Sequence, residues 1–147
     1  MWASWAAAGA VATGWAAGCT AEEPASTCSF PATTGTTTYV AANGCGGSGS
    51  ADGSKANPYA TIEAATKGAK AGTTIAVAAG TYKESVALPA GVNLTGSGAT
   101  STKIQPPTSF GISVTGTGTS AIGGLTVNGA KGVGIVATGA GLELKVK

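Results

Sequence analysis

An all-β array of stacked repeats, entered through a single helix, is the fold that the sequence predicts. Short β-prone runs lie at residues 74–77, 85–88 and 92–95, and Gly or Pro turns separate them. The 147 residues include 25 glycines but only 10% charged and 5% aromatic residues. This composition disfavours a helical bundle and suits repeated tight turns. Hydrophobic residues make up 43% of the chain and cluster in the β-type runs, which argues against disorder.

Similar β-prone runs recur at intervals of about 20 residues, the length of one coil in a solenoid of stacked strands. Residues 112–114 (ISV) resemble residues 134–136 (GIV), and residues 125–127 (LTV) resemble residues 144–146 (LKV). These similarities predict three coils, over residues 74–95, 103–127 and 133–146.

Alternation within the runs predicts which side chains face the interior. The residues predicted to face inward are Ile112, Val114, Leu125, Val127, Ile135, Leu142, Leu144 and Val146. The glycines predicted to form coil corners are Gly91, Gly96, Gly116, Gly118, Gly124, Gly129, Gly132 and Gly139.

One amphipathic helix is predicted before the first coil. Asn57 is a typical N-cap residue, and Pro58 suits the first helical position, where a missing N–H costs nothing. Gly72 provides the C-terminal stop. The predicted apolar face consists of Ile62, Ala65 and Ala69.

The order of these elements resembles a known family. Residues 60–82 (ATIEAATKGAKAGTTIAVAAGTY) are similar to the opening of a right-handed parallel β-helix of the pectin lyase-like class. The resemblance implies a solenoid of about three rungs over residues 39–147, with the helix capping the open end of the first rung. It also implies that Asn128, before Gly129, starts a ladder of asparagine side chains.

The repeat array reaches Lys147 directly after a strand, with no capping element. Because solenoids need capping at both ends, we expect the β-helix to be incomplete at its C-terminus. A bare strand edge at this end would favour edge-to-edge self-association with another chain.

The first residues predict export. Residues 1–18 carry no charged residue, and Ala16-Ala17-Gly18-Cys19 resembles the bacterial lipobox, in which the cysteine is lipidated after cleavage. Residues 1–18 are then a lipoprotein-type signal peptide, and Cys19 anchors the chain to the cell envelope. The alternatives are an ordinary secretory signal cut near Ala17 or Ala21, giving a secreted protein, or a short uncleaved anchor.

Residues 19–38 are rich in Ser, Thr and Pro, and we expect them to form a tether between the membrane and the β-helix. Lipidation of Cys19 would leave Cys28 and Cys45 as a candidate disulfide in an oxidising compartment. Two unpaired thiols are the alternative, because sequence does not give the geometry.

Composition excludes several kinds of site. The chain has no His, which excludes Ser-His-Asp and Cys-His nucleophiles and imidazole metal ligands. A net charge of +2 without Arg gives no nucleic-acid-binding footprint. No cofactor is expected. The one candidate is calcium at Asp52, and the competing interpretation of Asp52-Gly53 is an ordinary turn.

The pectin lyase-like class includes polysaccharide lyases and hydrolases, but none of their catalytic motifs has a counterpart in this sequence. The acids of the β-helix part, Asp52, Glu63, Glu84 and Glu143, form no pair one coil apart, as a glycosidase would need. We therefore expect no catalytic residue and a non-catalytic role in polysaccharide binding or as a scaffold. The alternatives are an N-terminal fragment of a lyase or hydrolase whose active site lies beyond residue 147, and an adhesin.

Overall fold

The computed structural model describes residues 28–42, 50–129 and 131–146. In this part of the chain, helix α1 spans Ile62–Gly68, and all other regular elements are strands. The strands are β1 Thr37–Val40, β2 Thr74–Val77, β3 Gly80–Tyr82, β4 Val86–Pro89, β5 Asn93–Gly96, β6 Thr102–Ile104, β7 Phe110–Thr115, β8 Gly118–Gly123, β9 Thr126–Val127, β10 Val133–Thr138 and β11 Leu142–Val146.

The strands form three parallel sheets, which the chain visits in a fixed cyclic order. Sheet A has the strand order β1-β2-β5-β8-β11, sheet B has β3-β6-β9, and sheet C has β10-β7-β4. Each coil contributes one strand to each sheet, in the order β2-β3-β4, then β5-β6-β7, then β8-β9-β10. The architecture is therefore an all-β parallel solenoid, as the sequence predicted.

Apolar side chains fill the interior in columns that run from coil to coil. In sheet A, Ile75, Leu94 and Ile122 lie in register and are almost fully buried. Burying one such side chain contributes about 1.5–3 kcal/mol to stability. The corresponding columns of sheets B and C are Tyr82, Ile104 and Val127, and Val86, Ile112 and Ile135.

The predicted interior residues are buried in the second coil and become more exposed toward the last strand. Ile112 and Val114 are fully buried, as predicted. Leu125, Val127, Ile135 and Leu142 are only partly buried. Val146 lies in register with Ile122 and so on the inward face of sheet A, as predicted, but it is 63% exposed, because β11 is the last strand of this sheet among the described residues. The side chain of Leu144 lies outside the described part.

Two predicted coil pairings are wrong in register. Ile112 pairs with Ile135, one residue away from the predicted match. Val146 pairs with Ile122 of β8 rather than with Val127, and β9 pairs with β6 instead. Strand β8 is not evident in the sequence, because Ile122 is its one large apolar residue and the run lacks a clear β-type pattern.

Helix α1 begins later than predicted, and its N-cap is Thr61 rather than Asn57. The Thr61 hydroxyl accepts a hydrogen bond from the Ala64 N–H at 3.2 Å. Pro58 also precedes the helix. Asn57, the predicted cap, instead belongs to the preceding loop, where its carbonyl accepts a hydrogen bond from the Asp52 N–H.

Helix α1 packs against β1, β2 and β4, which places it on the first coil, as expected for a cap. Ile62 and Ala65 are buried on its apolar face. Glu84, in the turn before β4, holds the helix N-terminus: its carboxylate accepts the N–H groups of Ile62 at 2.9 Å and Glu63 at 2.8 Å. These N–H groups have no acceptor inside the helix and lie at the positive end of its dipole. Glu84 therefore fastens the cap to the first coil.

Tyr82 joins the first coil to the chain that follows β1. Its hydroxyl donates to the Ala78 carbonyl at 3.0 Å and accepts from the Ala42 N–H at 3.3 Å. Burial raises the pKa of Tyr82 to about 12. The hydroxyl is thus a structural cross-link of the solenoid's first turn and stays protonated at neutral pH.

Successive coils come into close backbone contact at pairs of corner glycines. A Cβ added at Gly96 would overlap the carbonyl oxygen of Gly124, and one added at Gly139 would overlap that of Gly116. Gly124 also has a φ of +64°, which side-chain-bearing residues rarely adopt. These positions therefore need glycine for space as well as for turning.

We predict that Gly96→Ala lowers the free energy of unfolding by about 2 kcal/mol or more, because the new methyl group forces adjacent coils apart. Gly68→Ala is the matched control, since an added Cβ there meets nothing within 4 Å. The control should be neutral or stabilise the helix by up to about 1 kcal/mol. Urea unfolding followed by circular dichroism measures both, and equal effects would contradict the close approach of the coils.

We also predict that Glu84→Gln lowers the free energy of unfolding by about 1–2 kcal/mol, because it removes the charge and one acceptor from the helix N-terminus. Glu143→Gln should change it by less than about 0.5 kcal/mol, because Glu143 forms an exposed ion pair with Lys145. The same unfolding measurement compares the two variants. A Glu84 variant as stable as the Glu143 variant would contradict the capping role.

Candidate functional site

The predicted cysteine sites are only partly within the described residues. Cys28 is disulfide-bonded. Cys19, the predicted lipidation site, and Cys45, the predicted partner of Cys28, both lie outside the described residues. The Cys28–Cys45 pairing and the lipid anchor therefore stay predictions.

Asp52, the candidate calcium ligand, has a turn interaction in the structure. Its carboxylate accepts the Ser54 N–H at 2.8 Å. Hydrogen bonds from Ser54 hold the pKa of Asp52 below its usual value. Over residues 28–42, 50–129 and 131–146, no three acidic or cysteine side chains come together in a group that could hold a metal ion.

Each of the other described acids has a structural contact. Glu63 pairs with Lys67, one helical turn further along, at 3.1 Å on the surface of α1. Glu84 caps the helix. Glu143 on β11 pairs with Lys145 at 3.5 Å. None of these contacts joins the carboxylates of two candidate acids.

A groove that the sequence analysis did not anticipate lies on the outer face of sheet A. Its floor is formed by β2, β5 and β8, and its wall by part of residues 28–36, which precede β1 and which we call the strap. The groove has a volume of about 380 Å³, within the range of ligand-binding clefts. Its lining consists of Ala32, Thr33, Thr34, Thr74, Asn93, Thr95, Ala121, Ile122, Gly123 and Gly124.

Strand alternation determines which residues form the floor of the groove. Ile75 and Leu94 belong to the buried core, so their neighbours along each strand face outward. Thr74 and Asn93 lie side by side in register, and Thr95 lies beyond Asn93 on the same face. The floor therefore presents hydroxyl and amide groups in adjacent coils.

Asn93 links two coils across the groove floor. Its side-chain oxygen accepts the Ala121 N–H at 2.9 Å, which fixes the orientation of the amide. Among the described residues, the amide nitrogen donates no hydrogen bond and is available to a ligand. The family resemblance implied that a ladder of asparagine side chains starts at Asn128. Asn128 is exposed, and Asn93 makes a contact between coils instead.

The groove lining has no ionisable side chain. Hydroxyl, amide and backbone groups can donate and accept hydrogen bonds, but they cannot hold a metal ion as carboxylates do or transfer protons as a catalytic acid does. This arrangement suits binding of an uncharged, hydroxyl-rich ligand. In the sequence, Thr74, Asn93 and Thr95 stand next to interior residues of β2 and β5, and this alternation indicates that they face outward. The position of the strap over them depends on tertiary contacts.

In the part of the chain that the structure describes, no helix has both the length and the apolar character needed to cross a membrane.

The family described as "Protein of unknown function (DUF1565)" matches residues 45–141, about two thirds of the chain. The matched region covers the three coils and the capping helix. Neither a curated protein nor a solved structure matches the chain. The chain therefore belongs to the DUF1565 family.

Proposed function

We propose that this chain is an exported, right-handed parallel β-helix of the pectin lyase-like class that binds a polysaccharide without cleaving it. The cyclic order of three parallel sheets supports the β-helix assignment. The capping helix on the first coil supports it further, because a helix at this place is what the resemblance implies.

The uncharged groove on sheet A carries the proposal. Sugar hydroxyls both donate and accept hydrogen bonds, and the groove offers both kinds of partner through Thr74, Asn93 and Thr95. Because the lining carries no charge, the expected ligand is a neutral polysaccharide. The strands of sheet A stack regularly, so the groove runs across several coils and suits an extended chain.

A binding role fits the positions of the acids better than a catalytic one. Glycoside hydrolysis needs two carboxylates facing each other across the scissile bond. Glu63, Glu84 and Glu143 each have a separate structural contact, and none of them lines the groove.

The disulfide at Cys28 supports export, because disulfides persist mainly in oxidising compartments. We propose that the chain reaches the bacterial cell envelope, anchored through lipid on Cys19, with secretion as the alternative. Residues before Cys28 would then connect the anchor to the strap.

We predict that Thr95→Val weakens binding of a neutral polysaccharide about threefold to tenfold, the loss expected for one ligand hydrogen bond. Thr115→Val is the matched control, because Thr115 is exposed on sheet C, away from the groove. Affinity electrophoresis in gels containing neutral or acidic polysaccharides measures the retardation of each variant.

The wild-type chain should be retarded by at least one neutral polysaccharide and should release no new reducing ends from it. Equal retardation of the Thr95 and Thr115 variants would contradict binding of the polysaccharide in the groove. A wild-type chain retarded by no polysaccharide would contradict the proposed function as a whole.

A further inference from the structure

Asn93 is the groove residue whose hydrogen-bonding polarity is fixed. Among the described side chains that line the groove, the other polar ones are threonine hydroxyls, and a hydroxyl can turn to donate or to accept. The Asn93 amide cannot, because its Oδ1 accepts the Ala121 N–H at 2.9 Å and a reversed amide would place two donors against each other. Its Nδ2 group is therefore the part left for a ligand, and it can only donate. A ligand must bring a hydrogen-bond acceptor to this point of the groove.

The surface beside Asn93 is small and apolar. Strand β8 pairs with β5 from Ile122 and Leu94 onward. Ala121, just before this pair on β8, therefore lies beside Asn93. The Ile122 side chain points inward and is almost fully buried. Strand β8 thus presents to the groove the methyl group of Ala121 and the bare backbone of Gly123, and both residues are half-buried. A methyl group of a ligand can pack there without meeting a larger side chain of this strand.

One substituent of neutral sugars matches both features. An acetamido group has a carbonyl oxygen, which only accepts hydrogen bonds, and a methyl group attached to the same carbon. It carries no charge, and among the described residues no ionisable side chain lines the groove. A sugar hydroxyl supplies an acceptor but no methyl group. A free amino group is protonated at neutral pH, so it would turn a second donor toward the Asn93 Nδ2.

We propose that the groove selects sugars that carry an acetamido group. The Asn93 Nδ2 donates to the acetamido carbonyl oxygen, and the acetamido methyl group packs on Ala121 and Gly123. This inference rests on the proposed function and names its ligand class, a neutral polysaccharide of N-acetylated amino sugars. Asn93 then determines specificity, whereas the neighbouring Thr74 and Thr95 bind hydroxyl groups that most polysaccharides share.

Two uncharged tetramers that differ in one substituent test the ligand class. The first is β-1,4-linked N-acetylglucosamine and the second is β-1,4-linked glucose, so each ring of the first carries an acetamido group in place of a hydroxyl. Isothermal titration calorimetry of the full chain measures both affinities. We expect the N-acetylated tetramer to bind about tenfold tighter or more, the gain expected from one methyl contact and a better acceptor. Equal affinities, or tighter binding of the glucose tetramer, would overturn the inference.

Asn93→Asp tests the donor. The aspartate keeps an oxygen for the Ala121 N–H but replaces the Nδ2 donor with a second, charged acceptor. Affinity for the N-acetylated tetramer should therefore fall about tenfold or more. Asn128→Asp is the matched control, since it makes the same change at an exposed asparagine outside the groove lining, and it should bind like the wild type. Equal affinities of the two variants, with urea unfolding establishing that both are folded, would contradict the role of Asn93.

Ala121→Val tests the methyl contact and leaves the Asn93 amide in place. Valine suits a strand, and its larger side chain fills the space beside Asn93. The preference for the N-acetylated tetramer over the glucose tetramer should disappear in this variant. It should persist in Ala87→Val, the matched control, because Ala87 is exposed on β4 of sheet C. An Ala121 variant that keeps the full preference would contradict the proposed seat of the acetamido group.

The outcomes for the inference and for the proposed function are distinct. A chain that binds both tetramers equally tightly would overturn the acetamido preference and leave the proposed function standing. The same conclusion would follow if neither tetramer bound but another neutral polysaccharide retarded the chain. A chain that binds neither the tetramers nor any polysaccharide would overturn both.

Discussion

Backbone hydrogen bonding between successive coils is the constraint on which the rest of this structure depends. Parallel strands of successive coils pair only if each coil brings the chain back beside its own starting strand. The returning strand must lie one strand spacing, about 4.8 Å, further along the solenoid axis. The coils differ in length, since Ile75 pairs with Leu94 but Leu94 pairs with the more distant Ile122. The extra residues must therefore leave the ladder at the corners. Close glycine contacts, such as Gly96 on Gly124, allow the corners to stack despite this.

The same constraint explains how much of the fold the sequence predicted. Strands with two or more large apolar residues, such as β2 and β7, were recognisable from their alternation. Strand β8 was missed because the pairing of its backbone with β5 and β11, rather than its composition, makes it a strand. The helix start was misplaced because Asn57 belongs to the preceding loop, where its carbonyl accepts a hydrogen bond from the Asp52 N–H, and Thr61 caps the helix instead.

The candidate site was less predictable than the fold. A sequence search for catalytic sites looks for acids at suitable spacing, and the described acids serve the scaffold, most directly Glu84 at the helix N-terminus. The groove is made of residues with no strong chemical signature, such as Thr95. It exists because the strap returns over sheet A, and the contact between Ser29 and Ser97 joins positions far apart in the chain. Neither feature follows from local sequence.

A crystal structure of the oxidised chain with a bound neutral oligosaccharide tests the central claim most directly, namely that the solenoid presents an uncharged binding groove beneath the strap. The account predicts sugar rings between Thr34 and the floor at Asn93 and Thr95, with the amide nitrogen of Asn93 donating to a sugar oxygen. An oligosaccharide seated on sheet B or sheet C, with the groove on sheet A left open, would contradict it.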